Sequence, residues 1–91
     1  MKISCKVKVK NAAGLHTRPA SFIVQILQGT LSSVHFTCRK EKINAKSIMS
    51  ILTLAASKNS IITIEADGED AEKVVEKLVE AFEKQFWESK I

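Results

Sequence analysis

The chain contains 91 residues, of which 45% are hydrophobic and 26% are charged, and this composition is typical of one globular domain, residues 1–91. Its apolar runs are only a few residues long, well short of the roughly 20 that a bilayer span requires, and its opening, "MKISCKVKVK", has no apolar signal core. The net charge of +4 is uneven, because residues 1–58 carry ten Lys or Arg against one acidic residue, whereas residues 59–91 carry four Lys against nine acidic residues. We therefore predict a cytoplasmic protein without membrane insertion, with a basic surface suited to an acidic partner.

The first half of the chain predicts a strand, a helix and a hairpin. Residues 2–9 alternate lysine or serine with apolar side chains, which is the period of a strand with one wet face. Helical spacing follows over 17–27 and ends before Gly29, a residue suited to the left-handed end of a helix. Residues 31–39 alternate again and lead into a short run ending near "KIN", so these two pieces predict a hairpin. His35 falls on the solvent-facing side of its strand.

The second half predicts a short helix, a strand and a long helix. Ser47 is a candidate N-cap for the helix in "AKSIMSILTLAAS". The β-branched stretch "SIITIEADG" is typical of a strand that ends in a turn. The last helix begins at about Asp70, with Asp70 and Glu72 near the positive end of its dipole. Its apolar stripe comprises Ala71, Val74, Val75, Leu78, Val79, Phe82 and Phe86, and that of the short helix comprises Ile48, Ile51, Leu52 and Ala55.

The order of these elements, β-α-β-β-α-β-α, indicates the fold class. Because the strands have one wet face, we predict an α+β fold in which helices pack on one face of an open antiparallel sheet. Cys5 and Cys38 are separated by 32 residues, with no CxxC or histidine spacing nearby. This arrangement predicts free buried thiols and no metal site, and the sequence calls for no cofactor.

The stretch "NAAGLHTRPASF", residues 11–22, places His16 between a glycine and an Arg-Pro pair at the start of the first helix. The first N–H groups of a helix attract anions, and the guanidinium of Arg18 matches a phosphate in shape. Gly14 removes side-chain bulk, so that a protein partner can come close. Because an imidazole nitrogen is neutral and nucleophilic near pH 7, we hypothesise that His16 accepts and passes on a phosphoryl group. The alternative is an ordinary surface histidine beside a helix start.

The segment "GLHTRPA" resembles the phosphorylation-site motif of the HPr family, the phosphocarriers of the bacterial phosphoenolpyruvate-dependent sugar phosphotransferase system. "INAKSIMSILTLAA" resembles the family's region around its regulatory serine, and "IEADGEDAEKVVEKL" resembles its last strand and helix. The resemblance implies an open-faced β-sandwich, with a four-stranded antiparallel sheet and three helices on one face. It also implies that His16 takes a phosphoryl group from enzyme I and donates it to enzyme IIA domains, with Arg18 steadying the group. We expect a monomer that is a stoichiometric carrier rather than a turnover catalyst.

The same resemblance implies regulation at Ser47, because in that family a serine kinase can phosphorylate the aligned serine. A phosphate at a helix N-terminus is favoured by the helix dipole, so its effect should fall on docking rather than on folding. A helix this short cannot bury Ile48, Met49 and Leu52 together, which predicts an exposed apolar patch for partner docking, with Met49 as peripheral core being the alternative. We add Thr17 to this docking surface. New negative charge beside the patch would repel an acidic partner.

Three features depart from the family pattern. Ser50 stands where the family often has glycine, which bears on recognition by the kinase. The segment "ASKNS" replaces a glycine-bearing turn, although Asn59 can adopt the left-handed geometry. The end, "FWESKI", is longer than the family leads one to expect, and the sequence leaves open whether Trp87 packs on the domain or is exposed.

Other functions remain as alternatives. A regulatory docking module could act through Ser47 without any phosphoryl relay. A small acyl-phosphate hydrolase could use Arg18 to hold phosphate, but no second catalytic group is placed to orient water. Nucleic-acid binding is disfavoured, because aromatic residues are few and the final helix is acidic.

Overall fold

The computed structural model describes residues 1–85 and Trp87, and the elements follow one another in the predicted order. They are β1 (Lys2–Lys8), α1 (Thr17–Leu27), β2 (Ser33–Cys38), β3 (Glu41–Asn44), α2 (Ile48–Leu54), β4 (Ile61–Asp67) and α3 (Ala71–Lys84). The strands form one antiparallel sheet in the order β1-β4-β2-β3. The predicted α+β fold, with four antiparallel strands and three helices, is confirmed.

The alternation of the strands separates a wet face of the sheet from a face that meets the helices. One row of the wet face crosses all four strands, since Lys6 pairs with Thr63, Thr63 with Thr37, and Thr37 with Lys42. The next residues along each strand point the other way, and Phe36 is 0% exposed. This open face is where the sequence placed the lysines of β1.

The apolar stripes of the helices complete the core against that buried face. The rings of Phe36 on β2 and Phe82 on α3 meet edge to face, with centroids 6.0 Å apart. The buried members of the predicted α3 stripe are Ala71, Val74, Val75, Leu78 and Phe82, with Val79 partly buried. Phe86, the last member of that stripe, lies outside the described residues.

Two strands, β1 and β2, are shorter than predicted. β1 ends at Lys8 rather than at residue 9, and β2 begins at Ser33 rather than at residue 31. The second difference has a clear cause, because the Asp70 carboxylate accepts hydrogen bonds from the backbone N–H groups of Leu31 (2.8 Å) and Ser32 (2.9 Å) and from the Ser32 hydroxyl. These hydrogen bonds hold the pKa of Asp70 below its usual range, with the largest effect from the Ser32 hydroxyl and the next from the Leu31 N–H. The Asp70 side chain therefore anchors a loop instead of capping α3, although Asp70 is the N-cap residue of that helix.

The short helix α2 buries fewer of its apolar residues than its spacing indicated. Ile51 and Leu54 are its buried residues, whereas Ile48 is 38% exposed and Met49 is 70% exposed. Ala55, which we had placed on the buried stripe, is exposed and has left-handed backbone geometry at the C-cap. The helix thus presents apolar side chains to solvent.

Both cysteines are free thiols. Cys38 is buried as predicted, but Cys5 is only half-buried, and its burial raises the pKa of its thiol. Among residues 1–85 and Trp87, no group of three or more His, Cys, Asp or Glu side chains could hold a metal ion. Nor is any helix in this part of the chain both long and apolar enough to cross a membrane.

Candidate functional site

The loop between β1 and α1 carries the histidine motif on a tight turn. The Gly14 N–H donates to the Asn11 carbonyl (3.1 Å), and Gly14 has a φ of +69°. A Cβ atom at Gly14 would lie 2.3 Å from the Ala56 carbonyl oxygen, and the N–H of the next residue, Leu15, donates to that same oxygen (2.9 Å). Glycine is therefore required for two reasons, the left-handed backbone and the close approach of the loop to the segment after α2.

His16 is the N-cap residue of α1, which is the position that the sequence predicted next to the helix start. Its carbonyl accepts the first hydrogen bond of the helix, from the Ala20 N–H (3.0 Å). Its side chain makes no cap hydrogen bond, and within residues 1–85 and Trp87 no donor, acceptor or carboxylate engages the ring. The imidazole is half-buried. Both ring nitrogens are therefore uncommitted at a surface position.

The first turn of α1 adds positive potential beside this ring. The Thr17 and Arg18 N–H groups precede the first intrahelical hydrogen bond, and Pro19 sacrifices no donor there. The first turn contains no acidic side chain that would compete for these donors. An anion carried by His16 would therefore meet unpaired N–H groups and the positive end of the helix dipole.

The Arg18 guanidinium is exposed and turned toward the end of the chain. Its Nη1 donates to the Trp87 carbonyl at 3.5 Å, the long limit of a hydrogen bond. Trp87 itself is 2% exposed and packs edge-on against Phe22 (6.1 Å between centroids) and Phe82 (5.2 Å). The open question about Trp87 is thus answered, since it packs on the domain. The other residues of the "FWESKI" end lie outside the described part of the chain.

The second predicted segment lies on α2, which packs against α1. Ser47 is its N-cap, and the Ser47 hydroxyl oxygen accepts from the Ser50 N–H (3.2 Å). Ile48 and Met49 are exposed and Leu52 is partly buried, so an apolar patch does reach the surface. Thr17, at the start of α1, is exposed as well.

Two of the three departures from the family pattern, Ser50 and the turn at Asn59, are accommodated locally. Ser50 contributes the N–H that Ser47 caps, and its carbonyl accepts from the Thr53 hydroxyl (2.7 Å). Asn59 has a φ of +74°, and its N–H donates to the Val9 carbonyl (2.7 Å). The turn without glycine therefore closes in the left-handed geometry that we expected of asparagine.

The second histidine, His35, lies in the sheet on β2 and not in the loop that carries His16. His35 sits on the wet face of the sheet, where it pairs across strands with Glu65. Glu65 accepts ion pairs from Lys42 (3.2 Å) and Lys2 (3.5 Å), and the Lys42 contacts first of all hold the pKa of Glu65 below its usual range. His35 therefore takes no part in the site around His16.

Sequence analysis missed Asn11 and Trp87 as parts of this site. Asn11 is 4% exposed, and its Nδ2 donates to the Gly14 carbonyl at 2.6 Å. Asparagine three residues before a glycine is a turn signal, which could have drawn attention to it. No local signal connects Trp87 with α1, because the contact spans 69 positions of sequence.

Known proteins resemble this chain in both sequence and fold. A family model described as the phosphorylation site of the PTS HPr component matches residues 3–84. The phosphocarrier protein HPr of Chlamydia pneumoniae is 45% identical over 80 residues, which cover 88% of this chain and 74% of that protein. HPr-C-His from Thermoanaerobacter tengcongensis superposes with a TM-score of 0.89 at 31% identity, covering 98% of this chain and 99% of that one. Crh, the catabolite repression protein of Bacillus subtilis, forms a domain-swapped dimer in its crystal structure and superposes with a TM-score of 0.70 at 37% identity, over 87% of this chain and 90% of that one.

Proposed function

The chain belongs to the HPr family of phosphocarrier proteins of the phosphotransferase system, and on that premise we propose that His16 is its phosphoryl-accepting group. The observation that carries this assignment is the state of the imidazole at the N-cap of α1. The ring is partly accessible, makes no hydrogen bond within the described part of the chain, and lies beside unpaired N–H groups. A nucleophile in this position has no hydrogen bond with the described residues to break before it reacts with phosphorus.

We propose that the phosphoryl group passes directly from one protein to the next. A ring nitrogen of His16 forms a bond to phosphorus while the bond between phosphorus and the phosphorylated donor, enzyme I, breaks and leaves its electron pair on the donor. The same exchange then runs from His16 to an enzyme IIA domain. The chain is regenerated unchanged only after both partners have acted, so it is a stoichiometric intermediate rather than a turnover catalyst.

Arg18 is proposed to steady the phosphoryl group once it is on His16. The contact of Arg18 with the Trp87 carbonyl is long and pairs the guanidinium with a neutral acceptor. A phosphoryl group carries more negative charge and accepts two parallel hydrogen bonds from a guanidinium, so it competes effectively for this side chain.

Partner docking is assigned to Thr17, Ile48, Met49 and Leu52. The basic excess of residues 1–58 favours acidic partner surfaces around this apolar patch. All of these groups come from one chain, so the relay needs only a monomer.

Incubation of the protein with phosphoenolpyruvate and a catalytic amount of enzyme I tests the relay directly. We expect one phosphate per chain, labile in acid and stable in base, and lost again when an enzyme IIA domain is added after phosphoenolpyruvate and enzyme I have been removed. The site is read by mass spectrometry of peptides kept at alkaline pH. A chain that takes up no phosphate, or takes it up on another residue, contradicts the proposal.

Ser47 is proposed as a regulatory site for a serine kinase, acting on docking. Its side chain lies next to exposed Ile48 and Met49, so a phosphate there introduces about two negative charges at the edge of the patch. We expect Ser47→Asp to weaken binding to enzyme I by about tenfold, which corresponds to about 1.4 kcal/mol. Aspartate keeps the N-cap, so the helix itself should be preserved. Calorimetric titration measures the dissociation constant.

Ser33→Asp is the matched control for this substitution. Ser33 is exposed on the wet face of the sheet, so the variant has the same net charge without negative charge at the patch. Equal weakening by both variants would show a general effect of net charge and would contradict a local role of Ser47.

A second candidate function is a regulatory docking module that works through Ser47 without relay. The similarity to Crh and the hydroxyl at the N-cap of α2 favour it. Phosphate uptake on His16 distinguishes the two, because a pure docking module has no use for it.

A further inference from the structure

Asn11 is a buried polar side chain at the base of the histidine loop. It is 4% exposed, and its Nδ2 donates to the Gly14 carbonyl at 2.6 Å. A backbone hydrogen bond joins the same two residues, since the Gly14 N–H donates to the Asn11 carbonyl at 3.1 Å. The side chain therefore braces a turn that is already closed by its own backbone.

The same carbonyl connects this brace to the reactive residue. The Gly14 oxygen also accepts from the His16 N–H at 3.0 Å, so both of its lone pairs are engaged, one by Asn11 and one by His16. The imidazole has no hydrogen bond of its own within residues 1–85 and Trp87. The His16 backbone thus sets where the Cβ atom that carries the ring points, and that backbone is held through the Gly14 carbonyl, to which Asn11 donates.

The other half of the Asn11 amide makes no hydrogen bond with the described residues. Its Oδ1 is buried, and no donor of the described residues reaches it. A buried acceptor without a donor opposes folding, so the two halves of this amide act in opposite senses on stability. What the amide provides is a fixed direction for the loop rather than a large gain in stability.

We propose that Asn11 is a positioning residue for phosphoryl transfer at His16, acting through the Gly14 carbonyl. The proposal rests on the function proposed above for His16. Because Asn11 is only 4% exposed, it acts from beneath the loop by limiting the angles at which the ring can approach phosphorus. Reactions that require in-line approach are sensitive to such limits.

The test uses Asn11→Leu, which keeps a side chain of similar size while removing both the donor and the orphaned acceptor. We expect kcat for transfer from phosphorylated enzyme I to fall by roughly 10- to 100-fold, with KM unchanged because the docking patch is untouched. We expect the unfolding midpoint in urea to stay close to that of the unsubstituted protein. Amide exchange at His16, followed by NMR, should become faster than in the unsubstituted protein.

Ser32→Ala is the matched control. Ser32 is likewise a buried polar residue with a side-chain hydrogen bond, but it contacts Asp70 at the opposite end of the sheet. This variant should lose stability and keep its kcat, the reverse of Asn11→Leu. If Asn11→Leu does not fold, Asn11→Ala is compared with the unsubstituted protein at the same fraction of folded chains, with the same expectation for kcat.

The outcomes separate this inference from the proposed function. An unsubstituted chain that takes up no phosphate on His16 overturns the function. An unsubstituted chain that is phosphorylated there, with Asn11→Leu or Asn11→Ala equally fast in kcat, overturns the role of Asn11 alone. A loss confined to KM does so too, because it would place Asn11 in docking.

Discussion

Replacement of His16 by glutamine is expected to abolish phosphoryl uptake while leaving the fold intact. Glutamine is polar and of similar length, but its amide has no nucleophilic nitrogen, so transfer should fall by roughly 1,000-fold or more. The fold should persist because the imidazole makes no hydrogen bond within the described residues and lies outside the buried core. The N-cap is provided by the His16 backbone, which this substitution keeps. Transfer is measured as phosphate bound per folded chain, after incubation with phosphoenolpyruvate and enzyme I.

His35→Gln is the control that makes this result specific. It removes the other histidine of the chain, on the wet face of the sheet beside Glu65. We expect normal phosphate uptake, and an unfolding free energy within about 0.5 kcal/mol of the unsubstituted protein, since the change is at a solvent-facing position. Residual labelling of His16→Gln, or loss of labelling in His35→Gln, would contradict the proposal that His16 is the residue that accepts the phosphate.

The order and type of the elements follow from local patterns, which is why the sequence predicts them well. The bounds of α1 agree with the prediction at both ends, because His16 starts the helix and Gly29 follows its end in left-handed geometry. Alternation along β1 and β2 correctly separates the wet face from the core. Such patterns depend on neighbours within a few positions, and every one of those neighbours is visible in the sequence.

The features that sequence analysis missed depend on contacts between distant positions. The start of β2 is displaced because Asp70, 38 positions after Ser32, draws that loop into its own hydrogen bonds. Trp87 meets α1 across an even longer interval. The spacing of α2 favoured Ala55 as a buried residue, yet the helix ends there in left-handed geometry. Periodicity shows which side chains could share a face, but it does not show where the chain leaves the helix.

The candidate site divides in the same way. Ser47 occupies the predicted N-cap position and His16 the predicted position at the start of α1, since both depend on the local sequence. The surroundings of His16 could be seen only in the structure, because the loop is shaped by the Ala56 carbonyl of the segment after α2. Gly14 combines a local turn with a contact to the distant Ala56, so its substitution tests both.

Gly14→Ala is expected to be strongly destabilising and to disable the site. The new Cβ atom would lie 2.3 Å from the Ala56 carbonyl oxygen, a backbone atom that no side-chain rotation can move, and the residue would keep a φ of +69°. We expect a loss of about 3 kcal/mol or more in unfolding free energy, from steric overlap added to left-handed strain. Relief of the overlap must push the loop away from Ala56, which lengthens the 2.9 Å hydrogen bond of Leu15 and turns the His16 backbone. Transfer per folded chain should fall by about tenfold or more.

Gly29→Ala isolates the contribution of the overlap. Gly29 has a φ of +79°, and a Cβ atom there would meet nothing within 4 Å, so this variant carries the left-handed strain alone. It should cost about 1–2 kcal/mol in urea unfolding and leave phosphate uptake unchanged. Equal losses of stability in the two variants would mean that the loop moves freely away from Ala56. In that case the backbone around His16 is not held by this approach, and the hydrogen bonds of the Gly14 carbonyl with Asn11 and His16 must hold it instead.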